Sequence, residues 1–107
     1  MNALEELYGT ILKRKKNPEG GSYTNYLLDK GTEKICKKLG EEATEVVIAA
    51  CCQDRERLIS EIGDLTYHLF VLMAQKDITL EDVRDEMAKR ALKEHNLKPE
   101  RRPVEKI

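Results

Sequence analysis

The sequence predicts an all-α protein, a bundle of four to five helices. Apolar residues recur at the three- and four-residue spacing of amphipathic helices along most of the chain, and no stretch alternates like a strand. The breaks between these stretches are short and carry capping or helix-breaking residues. A chain of 107 residues fits one domain with a modest core, so we expect dimerisation to complete the bundle.

The first predicted helix has apolar side chains at helical spacing, namely Leu4, Leu7, Tyr8, Ile11 and Leu12. It ends in the basic run at 13–16, because residues 17–21 contain Asn, Pro and two Gly and break the pattern. A short helical stretch then begins at Ser22 and stops at Gly31. These two segments form the first part of the predicted bundle.

Two long helices follow. The first is predicted to start at Thr32 as its cap and to run to about Cys52. The second has Asp54 as its N-cap and continues to about Gln75, because Asp accepts hydrogen bonds from the free N–H groups of a first turn. A two-residue break between them favours an antiparallel pair.

The last predicted helix begins with a capping box at 79–82, in which Asp82 takes the place of the usual Glu. Its pattern ends near His95 or Asn96. We therefore predict a single domain over residues 1–96. Residues 97–107 contain two prolines and four basic residues and are predicted to be a C-terminal tail, loosely ordered or used in assembly.

Composition narrows the class of function. The chain has 19 basic and 20 acidic residues and a formal net charge of −1, which is too weak a field for a general nucleic-acid or membrane-surface binder. It shows no apolar run of bilayer length and no signal-peptide core. Its three cysteines fit neither a disulfide framework nor a zinc site. We therefore expect a cytoplasmic protein with reduced thiols packed in its helical core.

Four acidic residues stand out as two pairs, each at i, i+3. On a helical wheel of about 100° per residue, Glu42 and Glu45 lie roughly 60° and 120° from the centre of the apolar stripe of their helix. Glu61 and Asp64 lie roughly 100° and 160° from Ile62, the centre of the stripe in the next helix. An antiparallel arrangement would bring the two acidic margins together.

The simpler interpretation is two solvated acidic faces with salt bridges. Lys38 and Arg57 can each reach the first acid of a pair, four positions on, but in the weaker basic-to-acidic orientation. Glu45 and Asp64 have no Lys or Arg three or four positions away. Four carboxylates gathered beside apolar residues require a cation, and hard oxygen ligands suit Mg²⁺ or Mn²⁺. The pattern therefore favours a divalent-metal site.

This acidic spacing resembles the EExxE…ExxD signature of the all-α nucleoside triphosphate pyrophosphatases (MazG-like). The surrounding segments GSYTNYL at 21–27, KICKKLGEEATE at 34–45 and EIGDLTYH at 61–68 resemble the phosphoribosyl-ATP pyrophosphatases of histidine biosynthesis in their stand-alone form. The resemblance covers the chain from Leu4 to Arg90. It implies the all-α pyrophosphatase fold, and a dimer whose helical core is shared between subunits.

The resemblance also implies an activity. Phosphoribosyl-ATP would be hydrolysed to phosphoribosyl-AMP and pyrophosphate with Mg²⁺, as the second step of histidine synthesis. Two alternatives stay open. One is a related pyrophosphatase that acts on free or modified nucleoside triphosphates, and the other is a non-catalytic helical interaction module with surface acids. Glu45 and Asp64 lying far apart, or paired with cations, would support the module.

Hydrolysis between the α and β phosphates needs an in-line water and neutralisation of the leaving pyrophosphate, which metal ions supply. The acids Glu42, Glu45, Glu61 and Asp64 are the predicted metal ligands and catalytic residues. Glu41 points away on the wheel and is a candidate for supporting the ligands or for a subunit contact.

Seven further residues are predicted substrate contacts: Lys34, Lys37, Lys38, Ser22, Thr24, His68 and Arg90. Six of them have a structural alternative, which is a solvated surface for the lysines, an N-cap for the hydroxyls and a satisfied buried imidazole for the histidine. Arg90 is a candidate contact of the second phosphoribosyl group. Tyr23, Tyr26 and Tyr67 could stack on a base, but core packing is the expectation for them.

Overall fold

The protein is described by a computed structural model that covers residues 1–93. Within that range the chain forms five helices and no strand: α1 (Ala3–Lys16), α2 (Tyr23–Lys30), α3 (Thr32–Cys52), α4 (Arg55–Gln75) and α5 (Leu80–Ala91). The predicted all-α class is therefore confirmed. The short helical stretch is a separate helix, so the five-helix form of the prediction is the correct one.

The antiparallel helices α3 and α4 make the most extensive contact between any two helices of the described chain. Asp54 terminates the break between them and accepts a hydrogen bond from the backbone N–H of Arg57 at 2.9 Å, which confirms it as the N-cap of α4. This short, capped turn holds the two helices side by side. It thereby sets which residues of α3 meet which residues of α4.

The core lies where α1, α2 and the start of α3 pack against the second half of α4. Its buried side chains are Tyr8, Ile11, Leu27, Ile35, Phe70, Val71, Met73 and Ala74. Removal of this apolar surface from water is the main force that holds α1 and α2 on α4. The α5 helix contributes no buried residue and packs weakly against the rest of the described chain.

Most of the predicted boundaries are correct, and one cap is wrong. Thr79 and Asp82 form the predicted reciprocal capping box, with both hydrogen bonds at 2.9 Å. Thr32 is the first helical residue of α3 instead of its cap, and makes no capping hydrogen bond. The cap is Gly31, which has a φ of 93° and joins α2 to α3 in a backbone conformation that a residue with a Cβ rarely adopts.

The last helix ends at Ala91, before the predicted end. His95, Asn96 and the tail over 97–107 lie outside the described residues, so the boundary between domain and tail stays a prediction. None of the helices in the described part of the chain is long and apolar enough to cross a membrane.

The side of α4 that is buried in the structure differs from the side that the helical wheel predicted. Ile62 was predicted as the centre of the buried stripe but is 46% exposed, whereas the neighbouring Glu61 is only 6% exposed. Glu61 lies on the side of α4 that meets Glu42 of α3. Ile59, Ile62 and Leu69 lie on another side, within an arc of about 80°, and are exposed. The apolar stripe exists, but a single chain leaves part of it uncovered.

The predicted core packing of the cysteines is also wrong. Cys36, Cys51 and Cys52 are all exposed and all free. They lie on the outer side of α3, away from the core of the single chain. The expectation of unbridged thiols is met within the described residues.

Candidate metal centre

Three of the four predicted acids meet where α3 packs against α4. Glu42 of α3 and Glu61 and Asp64 of α4 each offer one carboxylate oxygen, and these three oxygens lie within 4.8 Å of one another. Glu42 is half-buried, Glu61 is buried and Asp64 is exposed. The cluster therefore has a closed side toward the core and an open side toward solvent, as a substrate site needs.

Glu45 lies outside this cluster of three. It is exposed and follows Glu42 by three residues on α3, close enough for its negative charge to help raise the pKa of Glu61. The structure thus groups three predicted ligands and leaves the fourth beside them.

Glu61 is the electrostatic centre of the cluster. Burial raises its pKa above the ordinary value of 4.5, and a hydrogen bond with the Asp64 carboxyl raises it further. The guanidinium of Arg57 opposes both effects from 3.5 Å, in the predicted i, i+4 ion pair. The ionised form of Glu61 is therefore disfavoured until a further positive charge enters the cluster.

The chemistry of this donor set fits a divalent ion. Three carboxylates against the single guanidinium of Arg57 leave two negative charges uncompensated, which a divalent cation balances. Oxygen ligands of this kind are those that Mg²⁺ and Mn²⁺ prefer, and the set contains no sulfur or imidazole that would favour zinc. Exposed acids can cluster without a metal ion. Glu61 is buried, however, and without a cation its charged form is costly, which is why its pKa is raised.

The positive charges of α3 lie one to two turns before Glu42. Lys38 pairs with Glu41, not with Glu42 as predicted, at 3.1 Å between Nζ and Oε1. Residues at i+3 and i+4 are both within reach on a helix, and Glu42 is turned toward the acids of α4. The Lys38 ammonium, aided by Lys37 and Lys34, lowers the pKa of Glu41, so this lysine run forms a positive border beside the acidic cluster.

His68 is buried, and both of its ring nitrogens have protein partners. Nδ1 lies 2.7 Å from the carbonyl oxygen of Asp64, and Nε2 lies 3.2 Å from the hydroxyl of Tyr23. The structure therefore favours the structural alternative that was open for this histidine. It connects α2 to the turn of α4 that carries Asp64.

The two predicted hydroxyl contacts are also engaged within the protein. Ser22 Oγ accepts a hydrogen bond from the backbone N–H of Asn25 at 3.1 Å and so caps α2, which was the alternative open for it. The hydroxyl of Thr24 is hydrogen-bonded to that of Tyr67. Ser22 keeps its own O–H free to donate, because the cap uses the oxygen only as an acceptor.

Arg90 lies on α5 and pairs with Glu86 of the same helix, with 3.0 Å between Nε and Oε2. The groove beside α5 is formed with Leu4, Glu5 and Phe70, not with the acidic cluster. Within the described chain the structure therefore gives Arg90 no contact with the predicted site.

Sequence reasoning missed the surface position of two tyrosines. Tyr23 and Tyr26 are 45% and 43% exposed, so their expected core packing is wrong, whereas Tyr67 is partly buried. The helical spacing of α2 gave no signal of this, because Tyr23 precedes the buried Leu27 by four residues and so lies only about 40° from it on the wheel.

Comparison with known proteins identifies the relatives of this chain. Residues 4–91 match the family profile of phosphoribosyl-ATP pyrophosphohydrolase. A phosphoribosyl-ATP pyrophosphatase of Clostridium novyi is 50% identical over 107 residues, which is 100% of this chain and 97% of the relative. The corresponding proteins of Clostridium acetobutylicum and Listeria innocua are 54% and 61% identical, over 97% and 81% of this chain and 94% and 84% of the relatives.

The fold and the acidic cluster define an all-α hydrolase with a carboxylate-rich site between two antiparallel helices. More specifically, the chain belongs to the phosphoribosyl-ATP pyrophosphohydrolase family, because the profile spans nearly all of the described residues and the similar proteins cover most of the chain. The family suggested by the sequence motifs is thereby confirmed, and a non-catalytic helical module is no longer supported.

Proposed function

We propose that this protein hydrolyses phosphoribosyl-ATP to phosphoribosyl-AMP and pyrophosphate, as the second step of histidine biosynthesis. The observation that carries this proposal is the meeting of the Glu42, Glu61 and Asp64 carboxylates within 4.8 Å at the surface between α3 and α4. Membership in the family and the names of the similar proteins supply the substrate.

Glu42, Glu61 and Asp64 would hold Mg²⁺, with Mn²⁺ as the alternative, and Glu45 would join them from the open side. A bound divalent ion clamps phosphate oxygens and lowers the pKa of a bound water. The role of the chain is to fix the carboxylates: α4 presents Glu61 and Asp64 one turn apart, and the capped turn before α4 aligns them with Glu42. Burial of Glu61 on the core side leaves the substrate only the open side.

The lysines of α3 supply the positive charge that the phosphates of the substrate require. Lys38 is the nearest candidate, because its ion pair with Glu41 is partly exposed and such pairs contribute little stability, so exchange of Glu41 for a phosphate costs little. Lys34 and Lys37 extend the same positive border. The O–H of Ser22 can donate to a phosphate oxygen. Thr24 and His68 would position the residues of the site through their hydrogen bonds to other side chains and to the backbone. We assign Arg90 neither a substrate contact nor a positioning role.

We propose that the protein acts in the cytoplasm as a homodimer. The exposed apolar side chains of α3 and α4 support the dimer: Val47, Ile48, Ile59, Ile62 and Leu69. A second copy that covers this surface would complete the bundle, because the apolar stripe of α4 has no other partner in the described chain. The free thiols suit a reducing compartment.

The experiment that tests the proposed activity supplies phosphoribosyl-ATP, ATP and dCTP at equal concentration with Mg²⁺ and measures pyrophosphate from each. We expect phosphoribosyl-ATP to be cleaved far faster than the other two. Equal or faster cleavage of ATP or dCTP would assign the protein to a pyrophosphatase of free nucleoside triphosphates. Chelation of the metal should abolish the pyrophosphate signal, and its restoration by Mg²⁺ or Mn²⁺ identifies the ions that support the reaction.

A further inference from the structure

Three tyrosine rings form a stacked row beside the acidic cluster. Tyr23 is in the middle, with its ring centroid 6.0 Å from that of Tyr26 and 6.1 Å from that of Tyr67. The rings are nearly parallel, with interplanar angles of 19° and 23°. Offset stacking of this kind is favourable, and it supports the Tyr26 ring at the outer end of the row.

Two lysine ammonium groups lie beside Tyr26, at the outer end of the row. The Nζ atoms of Lys30 and Lys34 lie 5.8 Å and 5.9 Å from the centroid of the Tyr26 ring. An ammonium group at this distance interacts with the ring face, but at an exposed site the interaction is weak. A ligand that carries both a flat ring and an anionic group could therefore replace these contacts with stronger ones.

Hydrogen bonds through His68 connect the tyrosine row to the candidate metal centre. The Tyr23 hydroxyl meets His68 Nε2, and the other nitrogen of His68 meets the carbonyl of Asp64. Lys34 precedes Glu42 by eight residues on α3, which corresponds to about 12 Å along the helix. That separation suits a nucleotide whose phosphates are at the acidic cluster and whose base is at the row.

The shape of the surface also accommodates a base. Tyr23 and Tyr26 line a cavity of about 540 Å³ together with Gly20, Gly21 and Asn25. Glu19 and Asp29 also line this cavity, and their carboxylates suit sugar hydroxyls or base N–H groups better than phosphates.

We propose that the outer face of Tyr26, supported by Tyr23, stacks on the purine base of the substrate, while Lys30 and Lys34 contact an anionic group of the same molecule. This inference rests on the proposed function, since it assigns the base-binding part of that site. It makes Tyr26 and Lys30 contributors to specificity for a nucleotide over pyrophosphate alone.

The physical requirement is an aromatic face, not a hydroxyl, because stacking uses the π-system of the ring. Tyr26→Phe should therefore bind and turn over substrate like the parent. Tyr26→Leu keeps an apolar side chain but removes the π-face. Tyr26→Gln removes it with a polar side chain suited to an exposed helix position, so at least one non-aromatic variant should fold even if the other does not.

The test measures binding of phosphoribosyl-AMP and, separately, of inorganic pyrophosphate by calorimetry in the presence of Mg²⁺. We expect the two non-aromatic variants to bind phosphoribosyl-AMP about tenfold more weakly. Their affinity for pyrophosphate, which has no base, should stay within about twofold of the parent. In kinetics, the KM for phosphoribosyl-ATP should rise with little change in kcat.

Equal binding of phosphoribosyl-AMP by the parent and both non-aromatic variants would overturn the inference. A parallel loss of pyrophosphate affinity would also overturn it, since that result means a general distortion of the site. Failure of the proposed function would give a different result, because the parent protein itself would release no pyrophosphate from phosphoribosyl-ATP. The proposed base site would then be rejected as well.

Discussion

The Nδ1 atom of His68 lies 2.7 Å from the backbone carbonyl oxygen of Asp64. A carbonyl oxygen can only accept, so Nδ1 carries a proton, and in the neutral form of the imidazole this tautomer leaves the lone pair on Nε2. That lone pair faces the hydroxyl of Tyr23 at 3.2 Å, and the hydroxyl therefore donates. Through this chain, α2 is attached to the turn of α4 that presents a metal ligand.

The first prediction concerns this attachment. Tyr23→Phe removes the donor and leaves the buried Nε2 of His68 without its partner, so we expect the free energy of unfolding to fall by about 1 kcal/mol. Tyr26→Phe is the matched control, because the Tyr26 hydroxyl makes no hydrogen bond with other described residues, and it should leave stability unchanged. Urea unfolding of both variants measures the difference, and equal stability of the two would contradict this role for the hydroxyl.

The second prediction concerns the acidic cluster. Asp64→Asn and Glu42→Gln keep size and shape but remove an anionic oxygen, so we expect activity to fall about 100-fold if one ligand contributes about 3 kcal/mol to the transition state. The matched control is Glu41→Gln, an acid adjacent to Glu42 that lies outside the cluster, and it should retain most activity.

These acidic variants must also be shown to fold. In the presence of chelator we expect Asp64→Asn to unfold at the same or a higher temperature than the parent, because it removes a like charge. Added Mg²⁺ should raise the melting temperature of the parent by mass action and that of the variant less. Full activity in the variants, or loss of activity through unfolding alone, would rule out the metal centre.

The helices and the acidic pairs were predictable because both follow from local rules. Asp54 and the Thr79–Asp82 box mark helix starts through hydrogen bonds within one turn, and the i, i+3 spacing of Glu61 and Asp64 places them on one side of α4 in any tertiary context. Gly31 as the cap of α3 was missed because its left-handed φ serves two helices at once.

Which residues are buried and which acids meet depends on contacts between helices, and the spacing of apolar residues along one helix does not predict those contacts. Which sides of α4 are buried depends on where α3, α1 and α2 pack against it, so Glu61 is covered while Ile62 is exposed. The same applies to Tyr23 and Tyr26, whose rings are apolar enough for a core but remain 45% and 43% exposed because no other helix of the described chain covers them fully. The group of three carboxylates likewise contains Glu42 and not Glu45, although both lie at the margin of α3 that the wheel predicted.

The third prediction concerns pH. Burial and the Asp64 hydrogen bond raise the pKa of Glu61 in the folded protein, so folding favours its protonated form. That contribution to stability is fully present below the ordinary pKa of 4.5 and is lost as pH rises through the raised pKa of the folded state. Metal-free Glu61→Gln lacks this loss and should therefore gain stability relative to the parent as pH rises.

Thermal unfolding with chelator at pH 5 and pH 7.5 measures this effect. The difference in melting temperature, Glu61→Gln minus parent, should be larger at pH 7.5. Ser60→Ala on α4 is the control, because Ser60 is exposed and its hydroxyl does not titrate in this range, so its difference should show little pH dependence. A difference for Glu61→Gln that is equal at both pH values would contradict the raised pKa.

The fourth prediction concerns assembly. Ile59, Ile62 and Leu69 share one side of α4 and are exposed in the single chain, which is unfavourable at roughly 25 cal/mol for each Å² of apolar surface left in water. We therefore expect the protein to sediment as a dimer or larger at micromolar concentration. Ile62→Glu places a charge at the centre of that side and should shift the protein to monomers, because burial of an unpaired carboxylate is costly.

The control for that experiment is Leu12→Glu, which adds the same charge at an apolar residue of similar exposure on α1. Because Leu12 lies outside the proposed interface, this variant should sediment like the parent. Monomers from both variants would indicate a general effect of the added charge instead of a specific interface. A parent that is itself a stable monomer at micromolar concentration would refute the dimer, since α4 would then keep its apolar side in water without penalty to the fold.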